Sequence, residues 1–198
     1  MDLIKKTQIV ELCWLERPST EVAPDLVGCT LARQMPDGEI IRGLIVETEA
    51  YGPEDPACHA YRRRTQRNWV MFGPAGRTYV YLIYGIYYCL NVVADRDSIP
   101  SAVLIRALEL ESIPPWIKES DRSKPHRIAA GPGKLCRALQ IDSTLNSQVL
   151  QPGQPLWLEH RRSQFTPELV QTTRIGLSQG ADLPWRWYLS GCSAVSKL

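Results

Sequence analysis

The chain predicts an α+β fold, a single domain around an antiparallel sheet with helices flanking the strands rather than alternating with them. Three observations carry that expectation. Extended, apolar-rich runs crowd the first 110 positions, and helical patterns are few and short. Two turn signals, Asp37-Gly38 and Tyr84-Gly85, each join a pair of extended runs into a hairpin. A length of 198 residues with 44% hydrophobic content suits one domain with a sizeable core.

Residues 19–28 read as the first helix, with Ser19 or Thr20 able to cap its start and Gly28 able to take the left-handed position at its end. Residues 31–34, the turn at 36–38 and residues 40–51 read as strand, turn, strand. Residues 52–77 form a loop punctuated by Pro53, Pro56, Gly73, Pro74 and Gly76, and a loop this long inside a compact domain is usually functional. Residues 77–84 and 86–94 are strands broken at Gly85, 95–100 a turn, and 102–108 another aliphatic run. A polar connector covers 111–126, a short helix at 134–139 follows Gly131-Pro132-Gly133, and 156–159 and 187–189 are late strands.

A net charge of +2 says little about partners, but arginine outnumbers lysine 17 to 6, and the planar guanidinium suits phosphate and stacks on rings. The six cysteines form no C-x-x-C pair, so a zinc ribbon or thioredoxin-type site has no support; Cys89 and Cys136 read as small buried thiols. His59, His126 and His160 lie far apart, so no metal site is expected, and no Gly-x-Ser-x-Gly elbow occurs. Residues 1–6 lack an apolar segment and no run is long enough to span a bilayer, which implies a reduced, intracellular, soluble protein without membrane association.

The unusual residues concentrate between Ile45 and Asn91. Alternation places Ile45, Glu47, Glu49 and Tyr51 on one strand face, with the two carboxylates ~7 Å apart. Carboxylates so close suit general acid or base work; the alternative is a surface face carrying cross-strand ion pairs. Tyr79 and Tyr81 share a face, while Tyr84 projects from a hairpin tip that Gly85 lets turn, a plausible wedge for parting a base step. Tyr87 and Tyr88 read as half-buried strand residues. From His59 to Arg77 there are five arginines and no acid, the footprint expected for phosphates, or else a solvated loop. Gly131-Pro-Gly-Lys134 is not a Walker loop, but it can present Lys134 and a helix start to one phosphate; an ordinary turn is the equal alternative.

Ile45-Val-Glu-Thr-Glu-Ala-Tyr51, His59, Arg67-Asn68, Met71-Phe72, Tyr79-Val-Tyr-Leu-Ile-Tyr-Gly85, Asn91, Leu104-Ile-Arg106 and Gly131-Pro-Gly-Lys-Leu135 resemble, in order and spacing, the alkyladenine (3-methyladenine) DNA glycosylases. The resemblance runs from about Leu26 to Asp142, with an echo at Arg174-Ile-Gly176 and Trp185 to Leu189. It implies one glycosylase domain over residues 1–198, built on a curved antiparallel sheet with a protruding β-hairpin. It implies Glu49 as general base and Arg106 as the arginine that positions Glu49 and water. Tyr51, His59 and Tyr81 would wall a base pocket with Asn91 at its floor. Tyr84 would intercalate, Met71 and Leu104 would touch the unflipped side of the lesion, and Arg67 and Lys134 would contact DNA. Arg63 and Gln66 depart from the family's glycine and proline, making the loop more basic and less constrained.

The implied substrate is double-stranded DNA containing an alkylated or deaminated purine, the implied cofactor none, and the acting form a monomer. A base must leave the stack before its sugar carbon can be attacked. No lysine lies between Glu49 and Arg106, which argues against a Schiff base and for a monofunctional enzyme. Two rivals stand beside this reading. A non-catalytic nucleic-acid-binding module of the same fold is one. A carbohydrate glycosidase using Glu47 and Glu49 is the other, although carboxylates on one strand face would point the same way rather than flank a sugar.

Overall fold

A computed structural model describes residues 8–197; residues 1–6, read above as free of a leader segment, lie outside the described residues. Eight strands form one antiparallel sheet. They are β1 (Thr30–Gln34), β2 (Ile40–Tyr51), β3 (Thr78–Ile83), β4 (Tyr87–Val93), β5 (Ala102–Leu110), β6 (Leu156–Glu159), β7 (Leu169–Thr172) and β8 (Arg186–Leu189). The main path runs β3-β4-β5-β2-β1-β6, and β8 pairs with both β2 and β7. Helix α1 (Ser19–Leu26), the short turn α2 (Glu119–Arg122) and α3 (Pro132–Ala138) flank the sheet. The architecture is the α+β fold expected from the sequence, with a curled antiparallel sheet. Among the described residues no helix is long and apolar enough to cross a membrane.

The spine is β2. Its first half pairs with β1 through the Asp37-Gly38 turn, its second half pairs with β8 at Glu47 to Glu49, and β5 runs along its other edge. Handing one edge from β1 to β8 curls the sheet and brings residues from both ends of the chain to the middle of β2. The β2–β5 register shifts between Ile45 and Thr48, so strict alternation fails there. Residues 45–50 are all buried, because α1 packs on the strand as well. Both carboxylates are therefore interior, and the surface face that was the alternative reading is not what forms.

The main core gathers Val22 and Leu26 of α1, Leu31 of β1, Ile45 of β2, Ile105 and Leu108 of β5, and Leu135 and Leu139 at α3. Helix α1 begins at Ser19, but neither Ser19 nor Thr20 caps it; Pro18 holds the cap position and the Ser19 hydroxyl donates to the Tyr51 carbonyl. The 52–77 loop has its own satellite core, in which Cys58, Val70 and Met71 pack on Tyr79 and Ala102. Asn68, 1% exposed, stiffens the arginine segment: its amide donates to the His59 and Arg63 carbonyls and accepts from Thr65 N–H.

Candidate active site

A cavity of about 510 Å³ opens where the β3–β4 hairpin, the ends of β2 and β5, the 52–77 loop, the start of α3 and residues 175–177 meet. Its aromatic wall is Tyr51, His59, Tyr79 and Tyr81. The His59 and Tyr81 rings stand edge to face with centroids 4.6 Å apart, and Tyr79 and Tyr81 lie tilted at 5.3 Å. His59 Nδ1 and the Tyr79 hydroxyl are 2.9 Å apart. His59 stays partly open to solvent at the cavity wall, yet desolvation by the surrounding rings, then the Arg67 charge, pushes its pKa down to about 4, which favours the neutral ring at physiological pH. Burial pushes the Tyr79 phenol up to about 12 and the Tyr51 and Tyr81 phenols well upward, keeping all three as neutral hydroxyls.

Asn91, Met71, Leu104 and Arg106 line the same cavity, as expected from the sequence. Asn91 is buried and its amide donates to the Tyr79 carbonyl at 3.0 Å, which fixes the orientation of its oxygen. Arg67 does not line the cavity; its guanidinium lies 5.1 Å from the Tyr81 ring centroid, outside that wall. Lys134 is exposed at the rim, brought there by α3. The absence of lysine from the 49–106 block therefore does not keep lysine away from the cavity.

Glu49 occupies a layer behind the wall. It is 0% exposed and is not itself a lining residue, but each of its direct partners is. The Tyr51 hydroxyl donates to Oε2 at 2.8 Å, the Ile175 N–H donates to Oε1 at 2.8 Å, and Arg106 Nη1 pairs with Oε1 at 3.2 Å. Three donors and no acceptor form the complement of a carboxylate anion. Glu47 is equally buried, and its Oε1 accepts from Arg106 Nε at 3.0 Å and Arg186 Nε at 2.7 Å. Cross-strand ion pairs were the non-catalytic alternative for this carboxylate pair. They are what Glu47 makes, inside the protein instead of on its surface, and Arg106 bridges the two acids.

Behind Tyr51 lies a second ion pair. The side chains of Arg174 and Asp55 are fully buried and joined by a two-pronged contact, with Arg174 Nη2 at 2.8 Å from Asp55 Oδ1. The same guanidinium donates to the Ala50 and Gly180 carbonyls and sits 4.7 Å from the Tyr51 ring centroid.

The hairpin tip projects from this platform. Tyr84 and Gly85 have φ of +54° and +71°, and Ile86 N–H closes the turn on the Ile83 carbonyl at 3.2 Å. Positive φ at both central residues gives the twist that suits a tight hairpin, but it is a strained state for a tyrosine. Tyr84 is 81% exposed. Tyr87, read from the sequence as an ordinary strand residue, lines the cavity and leans on α3; a Cβ on Gly133 would come within 3.0 Å of it.

The structure thus brings together Tyr51, His59, Tyr81, Asn91, Met71, Leu104, Arg106, Tyr84 and Lys134 around one cavity, with Glu49 and Arg67 just outside its wall. Sequence reasoning did not assign Tyr79, Asp55, Arg186 or Ser196 to the site. It gave Arg174 and Ile175 only as part of an echo, and it found little chemistry in the last 45 or so residues. The echoes at Arg174-Ile-Gly176 and at Trp185 to Leu189, which holds Arg186, were the signals available there.

This chain matches the Methylpurine-DNA glycosylase (MPG) family over residues 13–193. It is 61% identical over 197 residues to a Trichodesmium erythraeum protein, covering 96% of this chain and 98% of the relative. It is 55% identical over 190 residues to one from Synechococcus sp. (strain JA-3-3Ab), covering 92% and 96%, and 46% identical over 189 residues to one from Methanocella arvoryzae, covering 92% of each. All three relatives are provisionally named 3-methyladenine DNA glycosylases. The chain belongs to the methylpurine-DNA glycosylase family, DNA glycosylases that are hydrolases of N-glycosyl bonds.

Proposed function

We propose that the protein, acting as a monomer on duplex DNA, extrudes an alkylated or deaminated purine into the tyrosine-walled cavity. Water activated by Glu49 then hydrolyses the N-glycosidic bond and leaves an abasic site in an uncut strand. The observation that carries the reading is the placement of Glu49: its carboxylate abuts the cavity wall through Tyr51, Arg106 and Ile175, every contact a donor.

Extrusion costs a few kcal/mol of stacking and pairing, less at a damaged pair. The exposed Tyr84 ring can fill the gap and offset part of that cost. Inside, a flat base lies among four rings. A ring-alkylated purine is cationic, so cation–π attraction of about 0.5–2 kcal/mol adds to the stacking. Its positive charge makes it a good leaving group: the C1′–N bond breaks with its electron pair going to the base. Water supplies the new C1′–O bond, and Glu49 takes the water proton and stabilises the positive sugar. The neutral His59 and the three phenols add no opposing charge to that wall.

A lesion-binding module without hydrolysis is the second reading, and the full burial of Glu49 is the observation in its favour. Single-turnover base release separates the two on duplexes carrying one alkylated purine or hypoxanthine. Wild type is expected to release the base and leave no borohydride-trapped adduct. Glu49→Gln should fall by roughly 10²–10⁴-fold while duplex binding is retained. Wild-type release by Glu49→Gln would overturn the assignment, and an inactive wild type would favour the binding module.

A further inference from the structure

We infer that Ser196 is a positioning residue for the glycosylase reaction. It fixes Arg106 through Glu47 and so holds the Glu49 carboxylate in register with the cavity. The inference rests on the reading of Glu49 as the base.

Glu47 is the half of the carboxylate pair that the proposed chemistry does not use. It is nevertheless the most heavily bonded acid near the cavity. Besides the two arginines on Oε1, the Ser196 hydroxyl donates to Oε1 at 2.9 Å and the Ser196 N–H donates to Oε2 at 2.7 Å. The same hydroxyl accepts from Arg106 Nη2 at 3.4 Å. Arg106 is therefore held at Nε by Glu47 and at Nη2 by Ser196, while Nη1 meets Glu49. A guanidinium is planar and rigid, so fixing two of its nitrogens fixes where the third points.

Ser196 is itself held. Arg127 donates to the Ser193, Val195 and Ser196 carbonyls, and Arg186, the other partner of Glu47, donates to the Lys197 carbonyl. Ala194 and Val195 are buried against Val46 of β2 and Ala107 of β5. The segment after β8 is thus built into the platform that carries Glu49. Two carboxylates and two arginines compensate one another there, so Arg106 divides its charge between Glu47 and Glu49 instead of collapsing onto one.

The test is single-turnover base release, duplex affinity and melting temperature for Ser196→Ala, Ser196→Thr and Val195→Ala. Ser196→Ala should slow release by about 10- to 100-fold, the scale set by a small misplacement of a catalytic group, with affinity for lesion duplex within about 2-fold of wild type. Ser196→Thr keeps the hydroxyl and should restore the rate. Val195→Ala loosens the same segment without touching the network and should lower the melting temperature but not the rate. Wild-type release by Ser196→Ala would overturn the inference alone. So would equal slowing in all three variants in step with lost stability, which would make the segment a structural staple. An inactive wild type would remove the reading of Glu49 and the inference with it.

Discussion

Replacing Asp55 by alanine tests how the wall behind Tyr51 is built. Asp55 and Arg174 are both fully buried, and the carboxylate also accepts the Ala57 N–H at 3.0 Å. Without Asp55 the guanidinium keeps only the Ala50 and Gly180 carbonyls, with Nε already unpartnered, and its charge is uncompensated inside the protein. Breaking one side of such a pair costs about 3–5 kcal/mol. At roughly 2–4 °C per kcal/mol for a chain of this size, the melting temperature should fall by about 10 °C. The double variant Asp55→Leu with Arg174→Leu removes the stranded charge and should recover a good part of that loss, giving a coupling of about 2 kcal/mol in a double-mutant cycle. Thermal unfolding followed by circular dichroism reads Asp55→Ala, the double variant and its two single components, Asp55→Leu and Arg174→Leu. A shift under about 2 °C for Asp55→Ala, or strict additivity of the pair, would refute the claim that this buried ion pair ties residues 52–58 to residues 174–180.

Tyr84→Gly should separate stability from function: the ring makes little packing contact at 81% exposure, and glycine relieves a φ of +54°, so stability should hold or rise by about 1 kcal/mol while lesion-duplex affinity and base release fall. Unchanged affinity and release would remove Tyr84 as the wedge. His59 gives a pH signature in stability. Its folded pKa, about 4, lies below the ordinary 6.5, so the unfolded chain takes up the proton first and stability drains away as pH falls from 6.5 towards 4. His59→Gln should flatten the loss of melting temperature between about pH 7 and pH 5, and parallel curves for the two proteins would show that His59 is not the group responsible.

Much of the fold was legible because its signals are local. The strand at residues 40–51 coincides with β2, since a glycine turn precedes it and a proline loop follows. The helix start misled because the Ser19 hydroxyl, free in sequence to cap, is taken by the Tyr51 carbonyl from a strand 32 positions away. Strand β7 went unread: Leu169 to Thr172 is four residues long, sits in polar sequence and pairs only with β8. The site divides along the same line. Residues 49–106 announce themselves by type and spacing along the end of β2, the 52–77 loop and strands β3, β4 and β5. Arg174 and Arg186 stand only in short echoes and Ser196 in none, and all three reach the site through pairings with β2 and its neighbours across more than a hundred residues. Ile175 contributes a backbone N–H, which no side-chain signal can reveal.

The enclosure of Glu49 bears on how water would reach it. An ionised carboxylate offers about four acceptor positions. Oε1 is occupied by the Ile175 N–H and Arg106, and Oε2 by the Tyr51 hydroxyl, which leaves one position on Oε2. On the reading of Glu49 as the base, that remaining position, beside the Tyr51 hydroxyl, is where an attacking water would have to bind. The groups that close off the other positions are a backbone amide, a guanidinium fixed at its other two nitrogens and a phenol whose deprotonation burial suppresses. On the proposed reading these three groups act as donors to the carboxylate and leave it free to take the proton of an attacking water. Donors fixed before the substrate arrives need no reorganisation as positive charge builds on the sugar. On the proposed reading, burying Glu47 and Glu49 of β2 beside Arg106 of β5 and Arg186 of β8 serves the reaction, since replacing buried ion pairs by apolar groups of similar volume is often neutral or stabilising.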